Sequence, residues 1–100
     1  MTQQQVIARY TLVPGTEDEV LELVSRLAAA SSAEPGCVSY AAFRSLDDPA
    51  QLVLLERYVS ADALDEHRAS AHFQELVPGR LVPLLASRVV EVYDVPEGDA

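Results

Sequence analysis

The run Gln51–Val59, QLVLLERYV, limits the fold more than any other segment, because both of its alternations are largely apolar. Successive side chains of a strand point to opposite faces, so Leu52, Leu54, Glu56 and Tyr58 share one face and Val53, Leu55, Arg57 and Val59 the other. Neither set is a solvated face. Such a strand needs a cover on both sides, and a chain of 100 residues has material for one domain with one covering layer of helices.

The segments on either side supply the rest of a sheet. Cys37–Leu46 is a second extended run, joined to the first by Asp47-Asp48-Pro49-Ala50, whose acidic and prolyl residues suit a tight connection. With that loop, Ser39, Ala41 and Phe43 fall on the side of Leu54 and Glu56, and Tyr40, Ala42 and Arg44 on the side of Val53 and Leu55. Val6–Val13 reads as a strand ended by Pro14-Gly15, and Thr16 with Glu19 makes a capping box for a helix. Its apolar stripe is Val20, Leu21, Val24, Leu27 and Ala28, and Glu34-Pro35-Gly36 stops the chain beyond it. Ser60, or Asp62 if the boundary is later, caps a short helix through His67, and Ser70 a second piece through Leu76 that Val77-Pro78-Gly79 breaks. Arg80–Ser87 lacks a clear period, and Arg88–Val95 is a last strand.

This order predicts a single α+β domain over residues 1–95, a ferredoxin-like βαββαβ unit with an antiparallel four-stranded sheet, followed by a flexible tail over 96–100. The helices cover one face of the sheet. Leaving about 500 Å² of the other face wet forgoes on the order of 10 kcal/mol at about 25 cal/mol per Å². Two copies joined face to face bury roughly 1,000 Å², the threshold of a specific interface, so a homodimer closed sheet to sheet is expected.

Charge narrows the partners. Seven arginines and no lysine stand against sixteen carboxylates, a formal charge of -9. Phosphate neutralisation needs a concentrated basic surface, so neither nucleic acid nor an anionic membrane is an expected partner. The opening MTQQQVIARY has no signal-peptide pattern and no stretch reaches the length that spans a bilayer, which points to a cytoplasmic protein. Cys37 is the single cysteine, so no intrachain disulfide forms.

Groups able to move protons near neutral pH gather between Leu54 and Phe73, LLERYVSADALDEHRASAHF. Glu56 is the odd residue of an apolar strand and needs a partner or a wet pocket, with an ion pair to Arg9 or Arg44 the favoured reading. His67 and His72 lie roughly 140° apart on a continuous helix, so a two-histidine metal site in the i, i+4 style is not expected, and no third ligand is in view. With a break near Ser70, His67 ends one helix and His72 opens the next. Helix dipoles then make His72 the neutral base and His67 the more readily charged partner.

The strings EPGCVSY, LERYVS, ADALDEH and RASAHF resemble the antibiotic biosynthesis monooxygenase domain family, small dimeric α+β barrels that include quinol oxygenases. The resemblance runs from Val6 to Tyr93. It implies a site between sheet and helices that uses no cofactor and no metal, where the phenolate or enolate of a small aromatic substrate hands an electron to dioxygen. His72 and His67 are its implied catalytic groups, with Tyr58, Leu54, Glu56 and Phe73 around the substrate. The family's aromatic-polyketide oxygenases carry an Asn and a Trp four residues apart on the strand before the helix. The matching positions here are Leu54 and Tyr58, so only the aromatic half of that pattern is kept. His67 stands where related haem-degrading proteins carry Trp, which disfavours haem breakdown. The H-x4-H spacing also occurs in members that isomerise small oxygenated metabolites. An isomerase or lyase, or a non-catalytic small-molecule-binding dimer, is therefore the alternative.

Overall fold

Strand β1 (Gln3–Leu12) organises the molecule, buried at every second residue from Gln4 to Leu12 and paired on both edges. A computed structural model describes residues 2–96. After β1 come α1 (Glu17–Ser32), β2 (Cys37–Arg44), β3 (Gln51–Tyr58), α2 (Ala61–Ala69), α3 (Ala71–Leu76) and β4 (Leu85–Val95). The sheet is antiparallel in the order β2-β3-β1-β4. This is the expected ferredoxin-like α+β architecture. Part of the expected tail, from residue 97 on, lies outside the described residues. None of the described helices is long and apolar enough to cross a membrane.

Helix α1 lays Val20, Leu23, Val24 and Leu27 on Tyr10, Leu12, Leu52 and Leu54 of the sheet, with Leu76, Val77 and Leu81 closing the edge of this core. The expected stripe contains three of those four helix positions and lacks Leu23. The capping box does not form. The Thr16 hydroxyl donates to the Val13 carbonyl at 2.7 Å, so it holds the incoming turn and accepts nothing from the helix. Ser60 and Ser70 do cap α2 and α3, accepting from the amides of Ala63 and Phe73. Val77-Pro78-Gly79 does not end the helical path. A widened π turn over Val77–Leu81 and a 3-10 turn over Val82–Leu84 follow, and β4 starts at Leu85, three residues before the expected Arg88.

The hairpin corrects the expected face assignment of β2. Arg44 stands opposite Leu52, Ala42 opposite Leu54 and Tyr40 opposite Glu56, one residue away from the register that a four-residue loop gives. The cause is Ser45. Its amide donates to the Gln51 carbonyl at 3.0 Å, and its hydroxyl accepts from the amides of Asp47 and Asp48, which leaves Ser45 opposite Gln51 and adds Leu46 to the turn. A one-residue slip exchanges the two faces of a strand. Tyr40 therefore turns under the helices, and Phe43 turns to the uncovered face, where it is 54% exposed.

Candidate active site

One end of the covered face is not apolar. Past the core, the sheet offers Val6, Glu56 and Tyr58 to α2, whose Ala63, Leu64 and His67 are buried against it. Gly36 sets how closely α2 approaches. A Cβ on Gly36 would lie 2.5 Å from the Ala63 Cβ, so only glycine lets the entry to β2 pass under α2. The same connection carries Glu34, whose amide bonds the Ser31 carbonyl and whose own carbonyl accepts from Cys37. Ser70 then turns the chain between the two short helices. Its backbone is extended, and its hydroxyl donates to the His67 carbonyl at 2.6 Å. That kink brings His67 and His72, which a straight helix would separate, to a ring-centroid distance of 6.1 Å.

A line of polar contacts results. The Tyr58 hydroxyl donates to Glu56 Oε1 at 2.7 Å, and the same oxygen lies 3.6 Å from His67 Nε2. The opposite nitrogen of that ring, Nδ1, is 2.9 Å from Glu34 Oε2, which also lies 2.5 Å from His72 Nε2. His67 is thus a buried imidazole between two carboxylates, with Phe73 edge-on at 5.1 Å and Tyr58 at 4.9 Å. A cavity of about 20 Å³ opens against it, walled by Tyr10, Tyr40, Glu56, His67, Arg68, Phe73 and Arg88 on Val6, Ala8 and Val90. That holds about one water molecule.

Burial sets the electrostatics. Desolvation pushes the Glu56 carboxyl up to about 7, although the Tyr58 hydroxyl and the charges of Arg88 and Arg68 pull the other way. Desolvation also drives the Tyr40 and Tyr58 phenols well above their ordinary range, with the Glu56 charge adding to it. Burial lowers His67, against the hydrogen bond it makes to the Glu34 carboxylate. At His67, whose side chain is 2% exposed, loss of water acts against the charged form that a helix C-terminus favours.

The structure gathers most of the expected site residues, though not in one place. His67, Glu56 and Phe73 face the cavity, and Tyr58 reaches it through Glu56. His72 stands outside the cavity wall and touches it only through Glu34. Leu54 is fully buried in the apolar core. The expected arginine partners of Glu56 are elsewhere, Arg9 paired with Glu91 on the uncovered face and Arg44 on the Pro49 carbonyl. Glu34 and Tyr40 are the residues that sequence reasoning missed. Glu34 reads as part of a helix stop, and Tyr40 was hidden by the register slip. Glu34, His67 and His72 also form a group of ligand type, one donor atom from each lying within 4.8 Å of the others, so a third group of that type stands beside the two histidines although their spacing did not show it.

Comparison with known proteins gives a consistent result. A family profile described as antibiotic biosynthesis monooxygenase matches residues 4–79. A Mycobacterium tuberculosis protein named "Putative monooxygenase" is 43% identical over 68 residues, 68% of this chain and 66% of that protein, so the match spans just under two thirds of the relative's length. The solved structure of that protein superposes with a TM-score of 0.83 at 35% identity, covering 98% of this chain and 97% of the other. A conserved protein of Methanosarcina mazei Go1 gives a TM-score of 0.89 at 28% identity, covering 96% and 95%. A structure named antibiotic biosynthesis monooxygenase gives 0.86 at 32%, covering 93% and 98%.

Proposed function

The chain belongs to the antibiotic biosynthesis monooxygenase family, and from that premise we propose that it oxidises a small quinol, anthrone or related hydroxyaromatic compound with dioxygen and without a cofactor. The observation that carries the reading is the buried His67 imidazole, held between Glu34 and Glu56 on the wall of a cavity that Tyr40 and Phe73 flank. An aromatic ring lodges between those side chains and directs its oxygen at Glu56 and His67. The Glu56–His67 pair takes the acidic proton, and the resulting anion passes an electron to dioxygen. With an anthrone, the methylene carbon loses both of its hydrogens. One oxygen atom forms the new carbonyl and the other leaves as water. His72, joined to His67 through Glu34, exchanges the proton with solvent from its partly exposed position.

Space for a ring requires the wall to yield. Ser70 is the break between α2 and α3, and Phe73 sits one turn beyond it, so a tilt of α3 about Ser70 opens the cavity. The protein in this reading is a cytoplasmic homodimer joined through its uncovered sheet face. An oxygen electrode tests the function directly. Uptake is expected with some member of a quinol and anthrone series, and Glu56→Gln or His67→Gln is expected to lower the rate by about 10²- to 10⁴-fold, the usual worth of a positioned acid–base group. The small cavity favours a second reading, isomerisation or cleavage of a small oxygenated metabolite. A flat oxygen response across the series would put that reading first, and binding without turnover would leave a small-molecule-binding dimer.

A further inference from the structure

We propose that Glu34, His67 and His72 form a binding site for one divalent transition-metal ion of the class that imidazole and carboxylate share, such as Zn²⁺, Co²⁺ or Fe²⁺. The site lies behind the His67 ring, on the side away from the cavity, since neither Glu34 nor His72 lines that cavity. Its ligand set is two nitrogens and a carboxylate oxygen, with no thiolate, which selects against Cu⁺ and, through the imidazoles, against Mg²⁺ and Ca²⁺.

Three features argue for an ion here rather than a chance cluster. The first is convergence. His67 Nδ1, His72 Nε2 and a Glu34 oxygen come together from three separate elements, and the two histidines meet only because Ser70 kinks the chain between them. Bonds of about 2.1 Å in a tetrahedron place ligand atoms roughly 3.3 Å apart. The separations of 2.9 and 2.5 Å from Glu34 Oε2 are those of hydrogen bonds, so loading needs the carboxylate to retreat by less than about 1 Å while the two imidazole nitrogens, within 4.8 Å of each other, close on the ion. The second feature is a partner for the far nitrogen. His67 Nε2 faces Glu56 at 3.6 Å, the carboxylate that a metal-bound histidine commonly uses to fix its ring and its tautomer. The third is charge. Two partly or fully buried carboxylates flank one buried imidazole, and Glu34 meets only imidazoles in the ion pairs among the described residues. A cation held by Glu34 and the two imidazoles supplies a fixed positive charge beside that carboxylate. The partial exposure of Glu34 and His72, 16% and 26%, leaves a path for the ion and one or two open coordination positions for water.

Loading has a stated consequence for the cavity. An ion on His67 Nδ1 holds the remaining ring proton on Nε2, on the Glu56 side, and occupies the Glu34 and His72 atoms that pass a proton to solvent in the proposed reaction, so turnover belongs to the ion-free protein.

Cobalt titration of the chelator-treated full chain tests the site, and it does not depend on the oxygenase reading because it needs no turnover. Co²⁺ is expected to give the visible ligand-field band of a four- or five-coordinate nitrogen–oxygen site, saturating at one ion per chain and displaced by Zn²⁺. His72→Ala and Glu34→Ala, both at partly exposed side chains, are expected to abolish the band, with circular dichroism confirming that each variant is folded. Glu56→Gln, which alters only the outer partner, is expected to weaken binding about tenfold. Absence of the band at about 1 mM Co²⁺ in the wild type, or a band that survives unchanged in His72→Ala and Glu34→Ala, would overturn the site and leave a proton-bridged triad.

Discussion

Leu54 and Leu55 are neighbours of the same type on the same strand, yet Leu54 is fully buried and Leu55 is 37% exposed. The difference belongs to the two faces of the sheet. Tyr10, Leu12, Leu52 and Leu54 lie under α1, while Phe43, Leu55, Val89 and Tyr93 look outward with about a third to a half of their surface open. Polar pairs are interleaved with that outer set. Arg57 reaches the Gln5 amide oxygen at 2.7 and 2.9 Å, Arg9 meets Glu91, and the Tyr93 hydroxyl donates to Glu91 at 2.9 Å. An apolar surface with its polar groups already paired is suited to a second copy of the chain. The covered face teaches the converse. It is dry at one end and, where α2 replaces α1, carries the titratable groups of the site.

The largest effect should come from the covered face. Leu54→Ala leaves a cavity in the apolar core, and a loss of about 2–5 kcal/mol, of the order found for such deletions, is expected in denaturant unfolding. A loss near that of Leu55→Ala would mean the two faces are not energetically distinct. Gly36→Ala comes next. Its Cβ would meet Ala63 at 2.5 Å, with the α2 backbone only 3.5 Å away, so α2 must move off the sheet. About 1–3 kcal/mol of overpacking cost is expected. The displacement of His67 from Glu56 should add a loss of activity, whereas unchanged stability and activity would show that α2 floats freely.

A charge on the outer face tests the interface. Leu55→Glu places a carboxylate in the middle of the apolar patch, beside Ile7 in the β1 pairing and Ala41 in the β2 pairing. Sedimentation at micromolar concentration should show a dimer for the wild type and a monomer for this variant, with the isolated fold retained. A wild type that is monomeric under the same conditions removes the sheet-to-sheet dimer.

How much of this was legible follows from where each signal lives. The strand order and the Ser60 and Ser70 caps are local patterns of period and capping, and the structure contains them, while the helices supply one of the two covers that the strands demand. Glu56 and His67 also stood out, one as a charge in an apolar strand and one as a histidine at a helix end, and they do meet. Glu34 had no such signal. It sits beside Pro35-Gly36 in what reads only as punctuation, and its role exists because Gly36 brings the connection against α2. Tyr40 was misplaced by a single residue of loop length, since Ser45 forms side-chain and backbone bonds that lengthen the turn beyond Asp47–Ala50. Proline and glycine at 78 and 79 gave a break signal that packing of Val77 and Leu81 into the core overrode.

That one-residue slip makes the finest test of the two faces. In the register that a four-residue loop gives, Phe43 lies under the helices and its loss opens the core. In the observed register it is 54% exposed and opposite Val53 on the outer side, while Tyr40 takes the covered position opposite Glu56. Phe43→Ser, made in the monomeric Leu55→Glu background so that no second copy contributes, should change stability by only about 0.5 kcal/mol, the usual range for a surface substitution. That corresponds to roughly 2–4 °C in the melting midpoint of a domain this size. Tyr40→Ser in the same background removes a ring packed against the core and should cost several times more. Equal costs, or a larger one at Phe43, would reverse the two faces of β2, take Tyr40 out of the cavity wall and place the outer patch on the other set of side chains.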